Sequence, residues 1–146
     1  MSSAPEPRVV VIGIGNAARG DDAAGLIAAR RLGGLEHEGD PVVLLDLWGD
    51  ADLAVVIDAV SSSAAPGTIH RFDATASPLP TYLRSSSSTH AIGLAEAIEL
   101  GRALGRLPAR LIVFGIEGER FEAGTGVSRA VAAAAEALAV AVRSIP

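Results

Sequence analysis

The chain contains no cysteine, so disulfides, thiolate metal sites and cysteine nucleophiles are excluded. It also contains no lysine; all twelve basic residues are arginine. Aromatic residues make up only 3% against 49% hydrophobic, so the interior must be built from Ala, Val, Leu and Ile. A basic face is missing as well. The net charge is −5 with acids spread along the chain, which argues against a nucleic-acid partner. No apolar run is long enough to span a bilayer: VVVIGIG and AVAVR are short or interrupted. The opening MSSAPEPR lacks the charged-then-apolar pattern of a secretory signal. These absences lead to the expectation of a soluble, cytoplasmic protein with no membrane partner. Its 146 residues suit a single domain spanning 1–146, with enough chain to bury a real core.

What is present alternates between two periods. Residues 8–15 run VVVI into GIG, a β-branched stretch closed by glycines that predicts a strand buried on both faces. NAARGDD leads into AAGLIAARRL, whose apolar spacing is helical and whose first-turn acids favour its positive end; Gly33 and Gly34 stop it. Pro41–Leu47 (PVVLLDL) and Leu53–Val60 (LAVVIDAV) predict second and third strands. Pro66-Gly67 is turn chemistry, and TIHRF follows it too closely for a helical crossover, so that strand should pair antiparallel. After the long loop PLPTYLRSSSS come a helix (THAIGLAEAIELGRALG), an apolar strand (ARLIVFGI) and a closing helix with Ser128 as N-cap. The expected fold is α/β: a single three-layer domain, with a twisted, mostly parallel five-stranded sheet, helices on both faces and one antiparallel strand. On this reading only LWGDAD separates the second and third strands. That is short for a parallel crossover, which normally needs a dozen residues or more.

Ligands of open α/β sheets collect outside the carboxyl ends of the strands. Three polar residues map there: Asp22 after the first strand, Asp58 ending the third, and His90 opening the helix after the Ser-rich loop. Each has an ordinary explanation. The pair Asp21-Asp22 can complement a helix N-terminus, Asp58 can cap a strand end, and His90 can be a surface residue. Together, two carboxylates and one imidazole, which a helix dipole would keep neutral, form a hard-to-borderline divalent site with open positions. His37, in a polar linker between Glu36 and Glu38, and His70, with no acid before Asp73, are expected to be solvated. GIGNAARG lacks the third glycine of a dinucleotide turn, since Ala18 stands there; Asp46 keeps a nucleotide-binding reading open. A phosphoacceptor receiver needs a late lysine, which this chain cannot supply.

GIGNAARGDDAAG, VVIDAV, STHAIGL and GIEGERFEAGTGVSRAV, in that order from about Val9 to Val131, resemble the [NiFe]-hydrogenase maturation endopeptidases. The resemblance implies a mainly parallel sheet between helical layers. It also implies cleavage of one peptide bond, removing the C-terminal extension of a hydrogenase large-subunit precursor after nickel insertion. Three side chains would contact the nickel, which the substrate supplies, and they carry over to Asp22, Asp58 and His90. The same residues would hold the catalytic role, and the protein is expected to act as a monomer. Two departures stand out. Many relatives have a Gly-Thr-containing segment and a helix after the second strand, where only DLWGDADL stands here, and Ala23 replaces a frequent glycine. The first favours an alternative, a protein that binds nickel or the large subunit without cutting.

Overall fold

The computed structural model describes residues 6–80 and 89–145, with side chains in the second stretch from residue 93 onward. Along the chain come β1 (Val9–Ile14), a 3-10 turn (Gly20–Ala23), α1 (Ala24–Arg31), β2 (Leu35–His37), α2 (Pro41–Trp48) and β3 (Leu53–Val60). They are followed by β4 (Ile69–Asp73), α3 (Thr89–Leu104), β5 (Arg110–Glu117) and α4 (Arg129–Arg143). The five strands form one sheet in the order β2-β1-β3-β5-β4. All neighbours are parallel except β4, which runs antiparallel to β5 with Ile69 opposite Ile116.

The layering follows from period-two alternation in strands that are apolar on both faces. Every residue of β3 is buried. Ala54 and Val56 point to the face covered by α2 and α3, where they meet Leu44, Trp48, Leu94 and Ile98. Val55 and Ile57 point the other way, to Ala24, Ala28, Val131 and Leu138 on α1 and α4. Alanine dominates that second interface, which lets the two helices lie close to the sheet and to each other. The α/β architecture, the antiparallel strand and the boundaries of β3 match the sequence reading.

One element does not. Pro41–Leu47, expected as the second strand, is helix α2. Asp40 is its N-cap: Oδ1 accepts from Val42 N at 2.9 Å and Val43 N at 3.3 Å, and Pro41 sits in the first turn, where its missing N–H costs nothing. Leu44, Leu45 and Trp48 are buried, while Val42 and Asp46 are exposed, which is a helical face. The Trp48 indole N–H donates to Arg106 O at 3.1 Å, fixing the helix end against the loop after α3. The true second strand is Leu35–His37, in the segment expected to be a polar linker. The crossover from β2 to β3 therefore contains a helix, and the inferred shortening after Asp46 disappears. So does the feature that favoured a protein that binds without cutting.

Candidate active site at the carboxyl ends of β1 and β3

From β1 the chain crosses over α1 to β2 on one side, then returns over α2, on the opposite face, to β3 on the other side. The strand order thus reverses between β1 and β3, and the carboxyl ends of strands at such a switch point are where open α/β sheets bind their ligands. Asp22 and Asp58 both lie there, and each is only 2% exposed.

Asp22 reaches this position through two tight contacts. A Cβ at Gly15 would lie 2.0 Å from Asp22 O, so only glycine lets the 3-10 turn fold back onto the end of β1. The Asn16 N–H then donates to Asp22 Oδ2 at 3.0 Å. The close approach that this glycine turn permits is to the chain's own backbone. Asp58 sits two residues before the end of β3, opposite Gly115 of β5, with Oδ1 accepting from Ala59 N at 2.8 Å. Each carboxylate therefore has one oxygen on a main-chain N–H, which orients it.

Asp21 has a different task from the one the sequence suggested. It is fully buried, and it bonds residues far along the chain rather than the start of α1. Oδ2 accepts from Glu119 N (2.9 Å), Arg120 N (3.0 Å) and Ser128 Oγ (3.0 Å), and Oδ1 from Ser128 N (2.7 Å). Burial pushes its pKa up. The main-chain donors of Glu119, Ser128 and Arg120, with the Ser128 hydroxyl, outweigh that and hold the carboxyl below its usual range. Ser128 does occupy the N-cap position of α4, but its hydroxyl is given to Asp21 and makes no cap bond. Gly20, at φ +58°, completes the clamp: a Cβ there would meet Arg120 O and Thr125 Oγ1, both at 2.4 Å.

One buried carboxylate was missed. Glu117 ends β5, is 1% exposed and shares the sheet face of Asp58 by alternation. Its Oε2 accepts from Ser62 N at 2.7 Å; its Oε1 accepts from Ser62 Oγ at 2.6 Å and lies 3.1 Å from His70 Nε2. His70 is thus partly buried and paired, not solvated. Ser, His and acid occur together here, yet they do not form a hydrolytic triad, because the carboxylate lies between the other two and itself accepts the hydroxyl's hydrogen bond. An acid ending an apolar strand was the signal that picked out Asp58, and FGIEG carried the same signal.

His37 is likewise structured. It ends β2, and its Nδ1 accepts from Gly39 N at 3.0 Å, so the neutral ring carries its proton on Nε2. His90 is the second residue of α3, as expected of a helix opener. Its side chain, and the serine run 85–88, lie outside the described residues. Among the described residues no group of three or more His, Asp and Glu could hold a metal ion; that set does not include His90.

Against this geometry, the hydrogenase maturation protease model (HycI) matches residues 40–145. The chain belongs to the hydrogenase maturation protease family. The match includes Asp58 and position 90, and Asp22 lies before it. The Escherichia coli hydrogenase 2 maturation protease is 31% identical over 142 residues, covering 88% of this chain and 84% of that protein. The hydrogenase expression/formation protein HupD of Thiocapsa roseopersicina is 29% identical over 77% of this chain, which spans only 55% of that protein's length. In three dimensions the hydrogenase maturating endopeptidase HybD from E. coli superposes with a TM-score of 0.76 at 26% identity, covering 93% of this chain and 92% of that one.

Proposed function

We propose that this protein is an endopeptidase that removes the C-terminal extension of a [NiFe]-hydrogenase large-subunit precursor once nickel has been inserted. The observation that carries the reading is the pair of buried carboxylates, Asp22 and Asp58, each with an oxygen on a main-chain N–H, beyond β1 and near the carboxyl end of β3, where the strand order reverses. Two carboxylates suit a divalent ion of borderline hardness, with His90 as the third, nitrogen donor.

The nickel belongs to the substrate, and its charge supplies electrophilic help at the scissile carbonyl. The chain's residues do the rest. Asp22, Asp58 and His90 hold the loaded precursor in register, and one of the two carboxylates accepts a proton from the attacking water. Three protein ligands leave coordination positions open, unlike a closed structural site, so the isolated protein should hold metal weakly. An unloaded precursor would lack the ion that tethers it. This form of recognition makes cleavage a check that the metal has arrived.

The test is to incubate the protein with nickel-loaded and nickel-free precursor and to weigh the products. Loss of the C-terminal extension from the loaded form alone is the expected result. Unchanged mass in both would refute the peptidase, and equal cutting of both would refute nickel as the recognition signal.

A further inference from the structure

Away from the candidate active site, the sheet ends in β4, the last strand in the order β2-β1-β3-β5-β4, so β5 pairs only one of its two sides. Two main-chain bonds, Glu117 N to Thr68 O and Ala74 N to Leu111 O, both 2.8 Å, show which residues use that side. They share the antiparallel register that sets Ile69 opposite Ile116. Hydrogen-bonded pairs recur at every second residue of such a ladder, so His70 and Phe72 turn their N–H and C=O groups to β5. The main-chain groups of Ile69, Arg71 and Asp73 turn outward, and among the described residues no main-chain group bonds to them.

Natural sheets protect a free edge with lysine, proline or a bulge. The chain has no lysine, IHRFD contains no proline, and the register runs unbroken from Ile69 to Asp73. The charges on this strand are of both signs. Arg71 and Asp73 are two residues apart, so they share one face of the sheet, and both are exposed. That pattern is complementary to itself. A two-fold axis normal to the sheet at Phe72 sets β4 antiparallel to β4 of a second copy. Arg71 then stands opposite Asp73 of the second copy, and the reverse pair forms at the same time. Both are hydrogen-bonded pairs, because both residues have outward main-chain groups. Phe72, which packs against the core on the α2 and α3 side, meets its own counterpart on the axis. Centring the axis on Arg71 or on Asp73 would instead set like charges opposite each other. The same axis reverses strand direction, so the two carboxyl rims point opposite ways and the Asp22 and Asp58 end of each copy stays uncovered.

We propose that β4 is a self-association edge, through which two copies of this chain join into one continuous sheet held by main-chain bonds and reciprocal Arg71–Asp73 ion pairs. The proposal replaces the monomer expected from the resemblance, and it does not depend on the peptidase reading. One short strand buries little surface, so the dimer is a transient one, with a Kd of about 1–100 µM.

Sedimentation of the full chain across and above that range should show a reversible dimer. Arg71→Asp or Asp73→Arg alone sets like charges opposite and should raise the Kd about tenfold or more, while the two together should return it to within about threefold of wild type. Arg71→Pro removes only an outward N–H, spares the ladder to β5 and should also give a monomer. Asp73 accepts from Thr75 N at 2.9 Å, so the folding of each variant is checked by circular dichroism. Hydrogen exchange on the wild type reads the edge without a substitution: the Arg71 and Asp73 amides should gain protection as concentration rises. A wild type that stays monomeric and shows no such gain overturns the proposal. A dimer that both single charge variants and Arg71→Pro leave intact overturns this edge. A folded double variant that remains monomeric overturns the Arg71–Asp73 register.

Discussion

Two adjacent acids, Asp21 and Asp22, are assigned opposite roles by their surroundings. Asp21 faces inward onto four donors and serves as a brace; Asp22 is buried beyond the end of β1 with one oxygen steered by the Asn16 N–H. Their substitutions should therefore separate. Asp22→Asn or Asp58→Asn should leave the fold intact by circular dichroism; whichever residue is the base should slow processing by about 10²–10⁴-fold, read by precursor mass. His90→Ala should likewise cut processing sharply, and full activity in that variant would remove the residue from the site. Asp21→Asn should instead cost about 2–3 kcal/mol of stability, because buried N–H groups lose a charged acceptor. The pH dependence has a definite sign. The folded pKa of Asp21 lies below the unfolded value of 3.8, so its stabilisation is complete above that pH and is lost as the pH falls through the folded pKa. Denaturant titrations should show the wild type losing more stability than Asp21→Asn on going from neutral pH to below 3.8.

At the level of elements, strands and helices were legible where burial pattern and length agreed, as in LAVVIDAV and the Ala-rich C-terminal helix. PVVLLDL failed because a short apolar run with two valines fits a buried strand and a buried helix equally well. What decides it is the preceding Asp-Pro pair, a cap and first-turn signal that period alone does not weigh. The consequence was larger than one element. Misplacing β2 hid His37 in a linker and created a missing crossover. Asp58 stood out because an acid at the end of an apolar strand conflicts with its local environment, and Asp22 because it follows the glycine turn at a helix start; both are buried. Glu117 and His70 were not paired in advance, because they meet across antiparallel neighbours 47 residues apart. The capping account is testable: Asp40→Ala should destabilise by about 1 kcal/mol, and Trp48→Ala by about 3–5 kcal/mol through the cavity left behind. Thermal unfolding of both variants would measure the difference. An Asp40→Ala midpoint equal to wild type would mean that α2 is held by packing alone.

At the scale of the whole molecule, the rim is assembled from parts distant in sequence. Turns after β1, β3 and β5 meet there, and bonds from Asp21 bridge separations of 98 to 107 residues. If the substrate's nickel is the tether, adding a strong nickel chelator before mixing should abolish cutting of loaded precursor without changing the protease's own melting temperature. A large fall in that melting temperature would point to a resident structural ion instead.

The Asp21 clamp also places the completion of the rim in time. A ribosome delivers this chain from the N-terminus, and β1, the glycine turn and both neighbouring acids emerge early. They cannot be braced until Ser128 has been made and β5 has entered the sheet between β3 and β4. A nascent or C-terminally truncated chain therefore carries Asp21 and Asp22 without the brace that Ser128 supplies to Asp21.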